Sequence, residues 1–152
     1  MISKLTFEKL LNLGMLLALL MSFLFPAFYY ATLPDQIPIH FNASGIADSY
    51  GEKSMVWFLP FLSSLMCFGL YKLRKNFRKL NPRGTDRQNK ISTMVLLISG
   101  FLVALSFAYI NIQMVRIALG KSENLGTWFL PLFIAAFLIL PFLPILKFRK
   151  RR

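Results

Sequence analysis

The chain has 152 residues, of which 56% are apolar and 16% are charged, and its formal net charge is +12. A soluble domain needs about a quarter of its residues charged to cover its surface, so this composition predicts a small integral membrane protein. The single cysteine, Cys67, excludes an intrachain disulfide and a multi-cysteine metal site.

Four apolar runs are long enough to cross a hydrocarbon layer of about 30 Å, which takes roughly 20 helical residues. The first follows Lys4 and Lys9 as a signal peptide would, but its length and the poor cleavage sequence Tyr29-Tyr30-Ala31 favour a retained helix. We therefore expect an all-α membrane protein, a single domain over residues 1–152, with helices at about 10–31, 55–71, 91–115 and 125–146, an outer loop at 32–54 and a basic cytoplasmic loop at 72–90.

The basic residues predict the orientation, because cytoplasmic segments beside membrane helices are enriched in Lys and Arg. All but three of the 18 basic residues precede helix one, join helices two and three, or follow helix four; the exceptions are Lys53, Arg116 and Lys121. Both termini are thus expected in the cytoplasm of a multi-pass protein of the plasma or inner membrane. The positive charge then indicates contact with anionic lipid and not with nucleic acid, for which the sequence has no binding motif.

The basic segment after helix two has a lipid-binding pattern. If the helix continues past the membrane, Leu73, Phe77 and Leu80 share one face, and basic residues fill the rest of the surface. The residues predicted to contact lipid headgroups are Lys72, Arg74, Lys75, Arg78 and Lys79.

The four predicted spans contain no Asp, Glu, Lys, Arg or His. Ion pumps and proton-coupled carriers need ionisable groups at membrane depth, so these classes are disfavoured. The one histidine cannot make an H-E-x-x-H metalloprotease site, and no Walker or Rossmann glycine pattern is present. We expect no enzymatic activity and no cofactor, while a small multimeric transporter or channel lined by scattered Ser and Asn residues stays open.

The only two tryptophans open the same tetrapeptide, Trp57-Phe58-Leu59-Pro60 and Trp128-Phe129-Leu130-Pro131. Each tetrapeptide lies at the outer start of an inward-running predicted helix. This favours either an internal duplication or tryptophan anchoring at the interface followed by a proline kink.

The outer loop is the most specific part of the sequence. Pro34 and Pro38 favour an irregular, polyproline-like stretch over residues 35–40, and residues 42–45 and 48–51 are expected to form turns around their glycines. Apolar side chains interleaved with these signals suit an ordered lid that lies on the helix ends; they are Ile37, Ile39, Phe41 and Ile46.

Residues 33–53 closely resemble the pattern L-P-x-x-I-P-x-H-[FW]-N-x-x-G-x-x-D-x-[YFW]-G-x-K. This pattern is typical of a domain of unknown function in small bacterial and archaeal membrane proteins, and the same domain begins the Sdp toxin-immunity proteins. The resemblance implies a membrane protein of largely unassigned role. Because the immunity proteins continue with further spans, toxin immunity and signalling are retained only as an alternative.

The loop is also the predicted site. We expect a non-enzymatic protein that binds or senses a peptide, a lipid or an ion through ligand-binding or lid-organising residues, namely His40, Asn42, Gly45, Asp48, Gly51 and Lys53. A metal would use His40, Asp48 and Glu52. In the structural alternative Asn42 and Asp48 close turns, His40 caps a backbone group, and Lys53 pairs with Glu52 or Asp48. Expected partners are membrane lipids and a peptide or another membrane protein, and homo-oligomerisation stays open.

Overall fold

The computed structural model describes the backbone of residues 2–139 and the side chains of residues 7–139. The elements follow in the order α1 (Ile2–Tyr29), β1 (Gln36–Phe41), β2 (Ala47–Glu52), α2 (Phe58–Leu80), α3 (Asp86–Ala118) and α4 (Phe129–Ile139), with 3-10 turns at Tyr30–Thr32 and Lys53–Trp57. The predicted remainder of helix four, 140–146, and the basic residues after it lie outside the described residues.

Three helical segments are long and apolar enough to cross a membrane: Phe7–Thr32, Lys53–Leu80 and Asp86–Ala118. This finding confirms that the chain has the character of a membrane protein. One face of α1 exposes a row of leucines, as expected of a surface in contact with lipid: Leu10, Leu13, Leu16, Leu17, Leu20 and Leu24.

The predicted basic segment 72–90 is mostly helical, because α2 continues to Leu80, as its amphipathic pattern indicated, and α3 already begins at Asp86. Lys, Arg and Gln are good helix formers, so both helices extend beyond their apolar runs. Thr85 starts α3 with a capping box, in which its Oγ1 accepts from the Gln88 N–H and its own N–H donates to Gln88 Oε1. The segment between the two helices is therefore only 81–85.

The helices meet around small side chains. Ala18 of α1, Cys67 of α2 and Ala104 of α3 belong to one buried cluster. A Cβ at Gly14 would lie 2.8 Å from the Phe101 ring, so α1 approaches α3 through a glycine. Small residues allow this close approach between membrane helices, where dispersion contacts replace the hydrophobic drive.

Pro60 and Pro131 are each the third residue of a helix, α2 and α4 respectively. First-turn N–H groups have no partner within their own helix, so a proline is tolerated there. Neither proline interrupts an α-helix, and the kink interpretation is wrong for both. In both tetrapeptides the helix begins at the residue after the tryptophan.

The expectation of an all-α protein needs a correction, because β1 and β2 pair as an antiparallel hairpin between α1 and α2. The hairpin lies where α1 and α3 end and where α2 and α4 begin. We call this end of the helices the hairpin end.

Candidate functional site

Asn42 organises the turn of the hairpin. Its N–H donates to the Ile46 carbonyl and its own carbonyl accepts from the Gly45 N–H, both at 2.9 Å. Its side-chain Oδ1 accepts from the N–H groups of Ser44 and Ile46 at 2.9 and 3.1 Å. Gly45 has a φ of +75°, which other residues rarely adopt. The predicted turn at 42–45 is thereby confirmed.

The two segments beside this turn are strands, so the predicted irregular stretch over 35–40 and the predicted turn over 48–51 are wrong. Pro38 lies opposite Tyr50, and the register shifts on both sides of His40. A proline lacks the donor that a regular ladder needs and is found at bulges and edge strands. Packing of the Ile37 side chain, which is fully buried, holds this irregular strand in place.

The underside of the hairpin packs on the helices. Leu33 and Ile37 form one buried cluster with Val56, Met114 and Val115, which come from the 3-10 turn before α2 and from the last turns of α3. This cluster joins the hairpin to the ends of the helices through apolar contacts that are among the most buried in the described structure.

Lys53 closes the neck of the hairpin. Its N–H donates to the Asp35 carbonyl at 2.9 Å, and its Nζ lies 3.4 Å from Asp35 Oδ1. The predicted pairing of Lys53 with Glu52 or Asp48 is therefore wrong. Gly51 lies opposite Ile37 in β2, and a Cβ there would come within 2.9 Å of the Ile39 side chain.

The hairpin turn is bonded to the segment between α3 and α4. The Gly45 carbonyl accepts from the Leu125 N–H at 2.8 Å, and Ile46 forms a β-bridge with Asn124. The Leu125 carbonyl in turn accepts from the Tyr109 hydroxyl at 2.6 Å. The start of α4 is therefore fixed both to α3 and to the hairpin.

Asn111 of α3 is a buried polar residue that the sequence did not single out as part of the site. Its side chain is fully buried, and its Nδ2 donates to the Val56 carbonyl at 2.7 Å. The residue four positions after Val56 is Pro60, which has no N–H to offer to that carbonyl. Asn111 supplies the donor that the proline lacks, and Pro60 was the only signal of this need in the sequence.

His40 and Asp48 form a pair across the strands. His40 Nδ1 lies 2.6 Å from Asp48 Oδ1, and since a carboxylate only accepts, the ring donates through Nδ1. The carboxylate thus orients the imidazole. The side chains are 68% and 41% exposed, so the pair lies at the surface of the hairpin.

An apolar cleft of about 410 Å³ lies beneath the hairpin turn. This volume falls within the range of about 300–1,000 Å³ that is typical of small-molecule sites. Its floor is α3, its sides are the first turns of α2 and α4, and its polar side chains, His40 and Asn42, come from the hairpin. The apolar lining includes Ile39, Phe58, Leu59, Ile110, Met114, Phe129, Leu130 and Phe133.

The proposed metal ligands are only partly brought together. His40 and Asp48 meet, whereas Glu52 lies at the other end of the hairpin, where its Oε2 is 3.4 Å from Ser54 Oγ. Among the described residues there is no group of three His, Cys, Asp or Glu side chains that could hold a metal ion. The arrangement offers an oriented imidazole beside a carboxylate, at the edge of an apolar cleft.

We expect His40→Ala to loosen the hairpin only slightly, by less than about 1 kcal/mol, because ion pairs this exposed contribute little. Asn42→Ala should cost more, since it removes the acceptor of two turn hydrogen bonds. Amide hydrogen exchange over residues 36–52 in nanodiscs measures both effects. A fully exchanging hairpin in His40→Ala would show instead that this histidine organises the fold.

The five basic residues predicted to contact lipid headgroups lie in α2, and two of them are engaged within the protein. Arg74 donates to Glu8 at 2.7 Å, which joins α2 to α1, and Arg78 donates to Asp86 at the start of α3. The side chains of Lys72, Lys75 and Lys79 are exposed, and the Lys72 ammonium lies over the Phe68 ring. Contact of this segment with lipid headgroups stays a prediction.

These features define the class of protein: a mostly helical membrane protein with three helices of membrane-spanning length and a β-hairpin on their ends. Residues 17–63 match the family model described as "Domain of unknown function (DUF1648)", and the match covers the end of α1, the hairpin and the start of α2. Over these residues the predicted resemblance to a domain-of-unknown-function family is confirmed. No curated protein and no solved structure matches the chain.

Proposed function

We propose that this chain is a multi-pass protein of the plasma or inner membrane, with four spans, both termini in the cytoplasm and the hairpin outside. The distribution of basic residues supports this orientation. The apolar run that begins with α4 and continues beyond Ile139 supports the fourth span. Trp57 and Trp128 at the hairpin end suit a membrane interface, where amphipathic rings concentrate.

Reporter fusions test this orientation. A fusion after Arg83 and one after Arg152 should report the cytoplasm, and an insertion at Ser44 should report the outside. The insertion site lies at the tip of the hairpin, where the exposed backbone tolerates added sequence. A cytoplasmic signal at Ser44 would overturn the orientation and the outward-facing site.

We further propose that the protein is a non-enzymatic binding or sensing component, and that its ligand occupies the cleft beneath the hairpin. The observation that carries this function is the cleft itself, an apolar cavity with polar side chains at one edge, which is the usual composition of a ligand site. The fixed connections of the hairpin to α3 and α4 would hold such a site preformed, so binding would not require the loop to be ordered first.

A binding role is better supported than catalysis or transport. Among the described residues His40 has no hydrogen bond to a hydroxyl or thiol, as a base that activates a nucleophile would need. The predicted spans carry no ionisable group for ion translocation. The likeness of the loop to the domain that begins the Sdp toxin-immunity proteins keeps immunity as the alternative role, which would appear as survival of expressing cells against a membrane-active peptide.

Obstruction of the cleft tests the binding role. Ala43 lines the cleft from the exposed turn, so Ala43→Trp should fill the cleft without changing the helix core. Ser44→Trp is the matched control, because Ser44 is the next residue of the same turn and is not among the lining residues. Native mass spectrometry of protein released gently from its membrane should show a bound adduct that Ala43→Trp loses and Ser44→Trp keeps. Identical adducts in all three proteins would contradict a ligand in the cleft.

A further inference from the structure

A second apolar concavity adjoins the cleft and extends it along α4. The two share Ala43 and Leu130, and the second is lined only by apolar residues, including Ile134, Leu138 and Ile139. Together they form what we call the α4 groove, which runs from the hairpin turn along the outside of the helix toward the opposite end of the bundle. The side chains of Ile134, Leu138 and Ile139 are exposed, so lipid would cover them in a membrane.

The described lining of the α4 groove is continuous along the helix. From Leu130 to Ile139 it follows α4 for about 14 Å at 1.5 Å per residue. A lipid chain anchored at the hairpin end would therefore run along this apolar lining toward the interior of the bilayer.

The polarity of the site matches an amphiphile that enters from that leaflet. The groove and the deep cleft present hydrocarbon, while His40, Asp48 and Asn42 lie at the hairpin. A bound peptide would bring backbone N–H and C=O groups that need partners, and leaving them unpaired in an apolar site is costly. A hydrocarbon chain needs no such partners.

We infer that the ligand of the cleft is a zwitterionic phospholipid of the outer leaflet, with one acyl chain in the α4 groove and its headgroup at the His40–Asp48 pair. This inference rests on the proposed function and specifies its ligand class. With its Nδ1–H bonded to Asp48, the imidazolium form of His40 can donate its Nε2–H to a phosphate oxygen, and the Asp48 carboxylate can accept from a headgroup ammonium. The pair thus offers a donor to the phosphate and an acceptor to the ammonium of a zwitterionic headgroup.

Photolabelling of the full chain tests the inference. The protein is placed in nanodiscs that contain a phosphatidylethanolamine with a diazirine in the middle of one acyl chain, and labelled residues are located by mass spectrometry. We expect labels on Leu130, Phe133 and Ile134 severalfold above those on the exposed α1 residues Leu17 and Leu20, which report ordinary annular lipid. Ala43→Trp should abolish the excess, and Ser44→Trp should retain it.

A second probe tests the headgroup contact. A diacylglycerol with the same diazirine chain lacks the phosphate and the ammonium, so the excess labelling should fall for this probe in the unmodified protein. His40→Ala should remove most of the difference in groove labelling between the phospholipid probe and the diacylglycerol probe. Equal labelling by both probes in the unmodified protein would overturn the headgroup assignment.

The labelling pattern and the native adduct together test the lipid ligand separately from the proposed binding function. Uniform labelling of α1 and α4, together with a native adduct that Ala43→Trp removes, would overturn the lipid and leave a different ligand in the cleft. Excess labelling of the groove by a diazirine-bearing apolar peptide, but not by the lipid, would have the same meaning. Uniform labelling with no adduct sensitive to Ala43→Trp would overturn both.

Discussion

Asn111→Ala is expected to destabilise the protein by about 1–3 kcal/mol, which is the cost of leaving a buried carbonyl without its donor. Interhelical hydrogen bonds in bilayers average only about 0.6 kcal/mol, because the unfolded chain finds other partners. The Val56 carbonyl has few other partners, since the residue four positions later, whose N–H would bond to it in a helix, is Pro60. Reversible unfolding in mixed micelles of mild detergent and sodium dodecyl sulfate measures the loss.

A double-mutant cycle separates this mechanism from simple loss of packing. Pro60→Ala returns an N–H that can reach the Val56 carbonyl, so Asn111→Ala should cost clearly less in that background. Asn76→Ala is the matched control, because the Asn76 amide donates to the Lys72 carbonyl within its own helix. Additive effects of the Asn111 and Pro60 substitutions would show that the hydrogen bond does not compensate for the proline.

Gly45→Val is expected to disrupt the hairpin turn and separate it from α4. The backbone at Gly45 has a φ of +75°, and a Cβ there would lie 3.2 Å from the Leu125 Cβ. A left-handed conformation costs a residue with a side chain roughly 1–2 kcal/mol, and more if it is β-branched. The steric contact adds to this cost, because Leu125 also donates to the Gly45 carbonyl. Amide exchange over residues 36–52 and 122–126 should become faster in both segments together.

Two other glycines serve as controls that separate the backbone strain from the steric contact. Gly120 has a φ of +67°, and a Cβ there would have no atom of the described residues within 4 Å, so Gly120→Val tests the backbone strain alone. Gly69 lies in α2, where the described structure also leaves open space around it, and Gly69→Val lacks both effects. If Gly45→Val and Gly120→Val change exchange at the hairpin equally, the contact with Leu125 has no part in holding the site.

Part of the site follows from local sequence. The turn at 42–45 was predictable because its bonds join residues at most four positions apart, and because Asn and Gly are the types that such a turn requires. The strands beside it were not predicted. The prolines argued locally for an irregular stretch, whereas burial of Ile37 against α3 and pairing with β2 determined the conformation.

The side chains with which the site residues pair depend on the strand register of the hairpin. His40 was singled out from the sequence, but its pairing with Asp48, rather than with a backbone group or with Glu52, depends on which residues the hairpin places opposite each other. Lys53 likewise pairs with Asp35 and not with either acid predicted for it. A shift of the strands by one residue would change these contacts without changing the composition of the loop.

The sequence by itself determined the membrane character, three of the long helices and the turn at the tip of the hairpin, because apolar run length and turn chemistry act over short stretches of chain. Only the tertiary structure decided how the hairpin is fixed and where the cleft lies. The bond from Asn111 to Val56 joins residues 55 positions apart, and the contact of Gly45 with Leu125 joins two different loops. Such contacts leave no periodic pattern in a sequence, since they depend on how the helices pack against one another.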